Sequence, residues 1–187
     1  MRVVVPLAGP DFVGPDGRVK SEELVEGQPL LVRTLQSRPW WSAGRVTSND
    51  MIFVLRLNES TLRFANERLQ TWFPGSQIVW LSRYTGGAAL SAAAGIALAG
   101  HERVPLCVDL ADILFDARVD PLQVFVESEA IGGMALTFRS ESPTYSYLDL
   151  DDQGYVTNAA EKRVISANAS AGVYFFRSPA VYCKHTR

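Results

Sequence analysis

The stretch MRVVVPLAGPDFVGPDGRVKSEELVEGQPLL, residues 1–31, decides the fold. Its apolar run, residues 2–7, has the character of a buried strand, and it stops in Ala8-Gly9 before an open loop that leads to Lys20. The carboxyl end of a strand in an open α/β sheet exposes backbone N–H groups, and such sheets place anionic ligands there. Lys20 would add the positive charge that a polyphosphate needs. An ordinary strand, a surface loop and a solvated lysine explain the same pattern.

The composition is that of one globular domain. With 187 residues, of which 47% are hydrophobic, the chain can bury one substantial core. Its net charge of −2 provides no basic field for nucleic acid or for an anionic membrane. No window reaches the roughly 18 apolar residues of a membrane-spanning helix. We therefore expect neither a nucleic-acid partner nor a membrane partner, although a local phosphate pocket remains compatible with this charge.

The cysteines and the termini bear on location. Cys107 and Cys183 have no metal or redox spacing and suit a reducing compartment. The N-terminus has one basic residue before a strand-like run broken by Pro6, which argues against a signal peptide. We therefore predict a cytoplasmic protein and leave open whether it forms a homo-oligomer. The end of the chain soon after Cys183, without a closing helix, predicts a truncated form or a fragment.

The first part of the chain alternates predicted strands and helices. Apolar runs at residues 2–7, 51–57, 77–81 and 104–109 are typical of strands covered on both faces. Helices are predicted from Pro29, from Asn58 or Ser60, and over the alanine-rich residues 88–99, which must pack closely on their neighbours. This order predicts a mainly parallel, doubly wound sheet with helices on both faces.

After Asp116 the predicted elements become short. A helix at residues 120–127 precedes strands at 131–138, 144–150, 155–157 and 171–176, and a short helix starts at Pro179. Such strands joined by turns predict an antiparallel or mixed extension of the sheet. The segment Asp149 to Gly154 faintly resembles a calcium loop, but a hairpin turn explains it better because the full ligand series is missing.

Two further segments are candidates for binding or catalysis. Gly86-Gly87-Ala88 would let a flat ring or a phosphate approach the backbone closely, or would only form a tight turn. Asp109 follows a buried strand, where a carboxylate faces the ligand crevice, and one carboxylate suffices for Mg²⁺ bound to phosphates. Asp112 is predicted instead to be the N-cap of a short helical turn.

Taken in order, the segments resemble the sugar-phosphate nucleotidylyltransferases, also called nucleoside-diphosphate-sugar pyrophosphorylases. That family begins with a strand, Ala-Gly, a phosphate loop, a lysine and a Gly-Lys-Pro-Leu helix start. Here Lys20 stands seven residues before Gly27-Gln28-Pro29-Leu30. Gly86-Gly87-Ala88 looks like the family's nucleobase loop and Val108-Asp109 like its metal-binding strand. The segments that match its sugar-binding half are Tyr145-Ser146-Tyr147-Leu148, the Gly154 turn, Glu161-Lys162, and Ser166 through Ala171-Gly172-Val173-Tyr174 to Phe176.

The resemblance implies a Rossmann-like, mainly parallel mixed sheet of the nucleotide-diphospho-sugar transferase type. It implies one domain with a nucleotide-binding half, residues 1–116, and a sugar-binding half, residues 117–187. The implied reaction transfers a nucleotidyl group from a nucleoside triphosphate to a sugar 1-phosphate, with Mg²⁺ as cofactor. The implied site residues are Lys20 as the catalytic residue, Asp109 as the metal ligand, Ala8, Gly9, Gly86, Gly87 and Ala88 for the nucleotide, and Ser146, Glu161, Lys162 and Gly172 for the sugar phosphate.

The phosphate loop departs from the family's pattern. Gly9-Pro10-Asp11-Phe12-Val13 stands in place of Gly-x-Gly-Thr/Ser-Arg, so the arginine is missing. Asp11 puts a negative charge where the triphosphate would lie, and Ser146 stands where the family often has a glycine. Two alternatives therefore stay open. One is a catalytically degenerate nucleotide-sugar-binding or regulatory domain, and the other is a glycosyltransferase of related fold that uses Asp109 to hold its metal.

Overall fold

The computed structural model describes residues 1–100, 103–117 and 120–185. The strands found there are β1 (Arg2–Leu7), β2 (Leu24–Val25), β3 (Gln28–Pro29), β4 (Met51–Arg56), β5 (Gln77–Leu81), β6 (Leu106–Asp109), β7 (Gly133–Arg139), β8 (Tyr147–Leu150), β9 (Val156–Ala160) and β10 (Asn168–Phe176). The α-helices are α1 (Leu30–Gln36), α2 (Pro39–Ser42), α3 (Glu59–Phe64), α4 (Gln70–Trp72), α5 (Ala88–Leu98), α6 (Pro121–Glu127) and α7 (Pro179–His185), with a π-helical turn at Ala65–Leu69 between α3 and α4.

Strands from both halves of the chain form one eight-stranded sheet. Its order is β5-β4-β1-β6-β10-β8-β9, and β7 pairs with β10. Strands β5, β4, β1 and β6 are parallel, whereas β10 runs antiparallel to β6, β7 and β8. This arrangement confirms the predicted Rossmann-like mixed sheet.

Alternating side chains of β1 pack on opposite faces of the sheet, as expected for a strand covered on both sides. Val3 and Val5 belong to a core that includes residues of α1, α2 and α3, while Val4 packs against α5 and Tyr182. The alanine-rich helix α5 lies very close to the sheet. A Cβ at Gly95 would come within 2.6 Å of Val4 and 2.8 Å of Val54.

Two predicted helix starts are confirmed by their caps. The Asn58 side chain accepts a hydrogen bond from the Thr61 N–H at 3.0 Å, and α3 begins at the next residue. The Asp120 side chain accepts one from the Leu122 N–H at 3.1 Å, just before α6. The helical turn predicted at Asp112 is wrong, because residues 110–117 contain no helix.

The second half differs from the prediction mainly in strand limits. β10 begins at Asn168 rather than at residue 171, because its polar start pairs with β7 and with Tyr147 of β8. The segment after β8 is a hairpin turn as predicted. Oδ1 of Asp151 accepts hydrogen bonds from the N–H groups of Gln153 and Tyr155, at 3.0 and 2.8 Å, which ties this carboxylate to the turn.

The carboxyl ends of β5, β4, β1 and β6 meet at one edge of the sheet because these strands are parallel. Strand order reverses between β1 and β6, so the loops that follow them diverge and leave a crevice. In the part of the chain that the structure describes, none of the helices combines the length and the hydropathy that spanning a membrane requires.

Candidate functional site

Three adjoining cavities form a cleft at this edge of the sheet. We name them the Tyr84 cavity, the Lys20 cavity and the Lys162 cavity after one residue of each, and their volumes are about 320, 180 and 210 Å³. The first two cavities share Gly9 and Pro10 of the loop after β1. The Lys20 and Lys162 cavities share Leu110 and Asp112 of the loop after β6.

Lys20 is presented to the cleft by buried neighbours on either side. Val19 is buried and pairs with Val13 across the loop, while Ser21 is also buried. Lys20 itself stays exposed at the start of a single 3-10 turn, Lys20–Glu22. The loop after β1 thus folds back so that Lys20 lies beside the end of β1. Its role in phosphate binding stays a prediction.

The four residues predicted for the sugar phosphate lie together. Ser146, Glu161, Lys162 and Gly172 all line the Lys162 cavity. Lys162 follows β9 and adopts a positive φ of 50°, and Gly172 has a φ of 71°. The two lysines therefore line neighbouring cavities that meet at Asp112.

Asp112 lies where the sequence predicted only a helix cap. It lines both the Lys20 and the Lys162 cavities. Partial burial of the Asp112 carboxyl group raises its pKa, and the nearby Asp109 carboxylate raises it further. The backbone N–H of Asp112, Lys20 and Arg38 lower the pKa and so oppose this shift. Only the position of Asp112 in the sequence could have pointed to this role, because it is the second acidic residue at the end of a buried strand.

Asp109, the predicted metal ligand, ends β6 as expected, but its carboxylate does not open into the cleft. The residue is fully buried, and both of its oxygens accept hydrogen bonds from Arg38, at 2.8 and 3.0 Å. Oδ1 also accepts from the Ala111 N–H at 2.8 Å. A carboxylate already used in this way is a poor site for a metal ion, and the assignment moves to Asp112.

Arg38 and Arg56 are site residues that the sequence reasoning missed. Arg38 lies between Ser37 and Pro39, and nothing in this local sequence shows that its side chain is buried. Arg56 ends β4, so the rule that singled out Asp109 applied to it as well. Its guanidinium carbon lies 4.2 Å from the ring centre of Tyr84, and both residues line the Tyr84 cavity.

The residues predicted for the nucleotide are only partly in the cleft. Gly9 lines two cavities, whereas Ala8 is buried in the core beside α5. The exposed residues Gly86, Gly87 and Ala88 lie outside the three cavities, and Tyr84 of the same loop reaches the cleft instead. The Thr85 hydroxyl donates to the Gly87 carbonyl at 2.9 Å, which fixes this loop ahead of α5.

The charges of the cleft are mixed. Asp11 lines the Lys20 cavity, so an exposed carboxylate faces the same space as the lysine. Among the described residues, no three acidic, histidine or cysteine side chains cluster as a ready-made metal site. Mg²⁺ often takes only one or two protein carboxylates and completes its shell with phosphate and water. Asp112 fits that requirement.

Comparison with known proteins identifies the fold. No family model and no curated protein sequence matches the chain. Among solved structures, a nucleoside-diphosphate-sugar pyrophosphorylase from Vibrio cholerae RC9 is similar over 98% of this chain and 76% of that chain, with a TM-score of 0.74 and 22% identity.

Two further solved structures agree. A UDP-glucose pyrophosphorylase complexed with UDP-glucose matches 97% of this chain and 77% of that one, with a TM-score of 0.65 and 15% identity. HddC from Yersinia pseudotuberculosis, complexed with GMP-PN, matches 100% and 80%, with a TM-score of 0.69 and 15% identity. The chain therefore has the fold of the sugar-phosphate nucleotidylyltransferases, as the resemblance predicted.

Proposed function

We propose that the protein transfers a nucleotidyl group from a nucleoside triphosphate to a sugar 1-phosphate. The observation that carries this proposal is that Lys20 and Lys162 line neighbouring cavities that meet at Asp112. The chain has only three lysines and a net charge of −2. Two of those three line one cleft, where each can neutralise part of the charge of an anionic ligand.

Each cavity takes one part of the substrates. The nucleoside lies in the Tyr84 cavity, where the Tyr84 ring with the Arg56 guanidinium stacked on it offers a platform for a base. Gly9 lets the nucleotide approach the backbone, and the loop of Gly86, Gly87 and Ala88 stands beside the base. The triphosphate lies against Lys20.

The sugar 1-phosphate lies in the Lys162 cavity. Lys162 binds its phosphate, while Ser146, Glu161 and Gly172 shape the space around the sugar ring. The polar side chains of this cavity suit hydroxyl groups, which need hydrogen-bond partners when they leave water.

In the reaction, a phosphate oxygen of the sugar 1-phosphate attacks the α-phosphorus of the triphosphate. A new phosphorus–oxygen bond forms, the bond between the α-phosphorus and the bridging oxygen breaks, and pyrophosphate leaves with the electron pair. Such a transfer depends on in-line positioning and on neutralisation of charge. Lys162 orients the nucleophile and Lys20 offsets the charge on the triphosphate. Asp112 would hold Mg²⁺, which would supply further neutralisation of phosphate charge.

A second candidate function is a catalytically degenerate domain that binds nucleotide sugars. Asp11 favours it, because its carboxylate faces the Lys20 cavity and repels a triphosphate there. A nucleotide sugar carries fewer phosphate charges than the two substrates together, so it tolerates this carboxylate better.

Pyrophosphate release tests the proposal. The full chain is incubated with each of ATP, GTP, CTP, UTP and dTTP, in pairs with a panel of sugar 1-phosphates and Mg²⁺. We expect release with at least one pair, only when both substrates are present, and loss of release in Asp112→Asn. Binding of a nucleotide sugar without release supports the degenerate domain. Neither release nor binding rejects both functions.

A further inference from the structure

Arg38 makes a buried ion pair with Asp109 directly behind the cleft. Arg38 lies between α1 and α2 and is 1% exposed, while Asp109 is 0% exposed. The Nε and Nη2 groups of Arg38 donate hydrogen bonds to Oδ2 and Oδ1 of Asp109, at 2.8 and 3.0 Å. This bidentate pairing of the planar guanidinium group with the carboxylate fixes the orientation of both side chains.

The same guanidinium also holds the loop after β6. Its Nη1 group donates to the carbonyl oxygen of Ile113 at 3.0 Å, and its central carbon lies 4.0 Å from the ring centre of Phe115. Arg38 thus contacts residues that precede and follow Asp112 in the chain, and it does not itself line the cleft.

The loop itself has a conformation that needs such support. Ala111 has a positive φ of 55°, which residues other than glycine rarely adopt unless their surroundings impose it. Its N–H donates to Oδ1 of Asp109 at 2.8 Å, so the residue that Arg38 holds in turn holds Ala111. A series of contacts therefore leads from Arg38 through Asp109 to Ala111, the residue next to Asp112.

Stability is a weak reason for such a pair. Removing two charges from water costs about as much as their attraction returns, and a buried ion pair is often replaced by apolar residues without loss of stability. An apolar pair, however, would not orient the adjoining loop, because apolar contacts have no direction. The geometry therefore favours a role in placing Asp112.

We propose that Arg38 is a positioning residue, which acts through Asp109 and the loop of residues 110–115 to set the affinity of Asp112 for the metal–nucleotide complex. The part that concerns this ligand rests on the proposed function. Hydrogen-bond partners behind a metal ligand typically change metal affinity roughly 10–100-fold. We expect an effect of that size when the fork of Arg38 is lost.

The test compares Arg38→Lys and the double variant Arg38→Met with Asp109→Leu to the wild-type chain. Arg38→Lys keeps the charge but loses the fork, and the double variant removes both buried charges together. Mn²⁺ binding in the presence of ATP, GTP, CTP or UTP is followed by electron paramagnetic resonance. Nucleotide binding without metal is followed by calorimetry, and hydrogen exchange is followed over residues 110–116.

Arg177 provides a matched control. It is half-buried, donates to the carbonyl oxygens of Ser128 and Ile131, and packs over Phe125, near the opposite edge of the sheet from the cleft. Arg177→Met should leave Mn²⁺ binding and the exchange of residues 110–116 as they are in the wild type.

The proposal expects Mn²⁺–nucleotide affinity to fall roughly 10–100-fold, metal-free nucleotide affinity to stay within about twofold, and exchange to rise in residues 110–116 but not in β4. Unchanged Mn²⁺ affinity and unchanged exchange in folded variants overturn it. Where the double variant does not fold, Arg38→Lys decides by the same readouts. A wild type that binds no Mn²⁺–nucleotide rejects the metal assignment in the proposed function, and exchange alone then decides whether Arg38 positions the loop.

Discussion

Gly172 leaves the space beside its Cα open to the side chain of Asp112 in the cleft wall. A Cβ built on Gly172 would come within 3.1 Å of Oδ1 of Asp112 and within 3.3 Å of Cβ of Leu110. Gly172 also has a φ of 71°, and its carbonyl oxygen accepts a hydrogen bond from the Leu110 N–H at 2.9 Å. The absence of a side chain at residue 172 is therefore what lets the loop after β6 approach β10.

Gly172→Ala should destabilise the fold and displace Asp112. The left-handed φ alone costs about 1–2 kcal/mol for a residue with a Cβ. The added methyl group also forces the Asp112 carboxylate and the Leu110 side chain to shift. Thermal unfolding measures the stability, and Mn²⁺ binding with nucleotide measures the displacement.

Gly154→Ala is the matched control for that variant. Gly154 has a φ of 84°, but nothing lies within 4 Å of its added Cβ. It should show only the cost of the φ and keep wild-type ligand binding. Equal effects of the two substitutions on stability and binding would show that the contact with Asp112 has no consequence.

Asp112→Asn should stabilise the protein at neutral pH while it abolishes metal binding. The folded state raises the pKa of Asp112 from its ordinary value of 3.8, mainly because the side-chain carboxyl group is partly buried. The free energy of unfolding is therefore highest, as far as Asp112 is concerned, below the pKa of this residue in the unfolded chain. That contribution is lost as pH rises through the higher pKa of the folded state. We expect a gain of less than about 1 kcal/mol, because solvent screens the exposed part of the residue.

The pH dependence separates this effect from a general one. The stability difference between Asp112→Asn and the wild type should shrink as pH falls below the ordinary carboxyl range, because the wild-type carboxyl is then neutral in both states. Denaturant unfolding at pH 3, 5 and 7 measures it. A variant less stable than the wild type at pH 7 would mean that the ionised carboxylate of Asp112 stabilises the fold.

Tyr84→Ala should weaken the binding of the nucleoside part without affecting the sugar phosphate. Stacking of a base on an aromatic ring contributes about 1–3 kcal/mol, so the KM for the nucleoside triphosphate should rise roughly 5–150-fold. Arg56→Met should act in the same direction, because the guanidinium covers the Tyr84 ring. Arg83→Met is the matched control, since Arg83 is exposed next to Tyr84 and does not line the cavity. An unchanged KM in Tyr84→Ala would place the nucleoside elsewhere.

Much of the fold could be predicted from the chain because its parallel strands are local apolar runs. Arg2–Leu7 and Gln77–Leu81 have the predicted limits, and the cap at Asn58 marked the start of α3. The polar start of β10 was missed because its pairing with β7 and β8 depends on residues far away in the chain.

The site was harder to predict than the fold. The strand pattern predicted Lys20 beside the end of β1, whereas Lys162 and Gly172 were predicted only by the family resemblance, and all three line the cleft. No pattern shows which of two nearby carboxylates is buried. The choice between Asp109 and Asp112 depends on Arg38, which lies 71 residues from Asp109 in the chain and reaches it only in the folded protein.

The most direct test of the account is steady-state pyrophosphate release by the wild type, Lys20→Ala, Lys162→Ala and Lys184→Ala. Lys184 is exposed on α7, outside the cleft, and its variant should behave as the wild type. A lost charge-assisted hydrogen bond costs about 1.5–3 kcal/mol. Lys20→Ala should therefore raise the KM for the nucleoside triphosphate or lower kcat roughly 10–150-fold, and Lys162→Ala should raise the KM for the sugar 1-phosphate by a similar factor. Release that neither cleft lysine affects beyond the Lys184→Ala control would contradict the account.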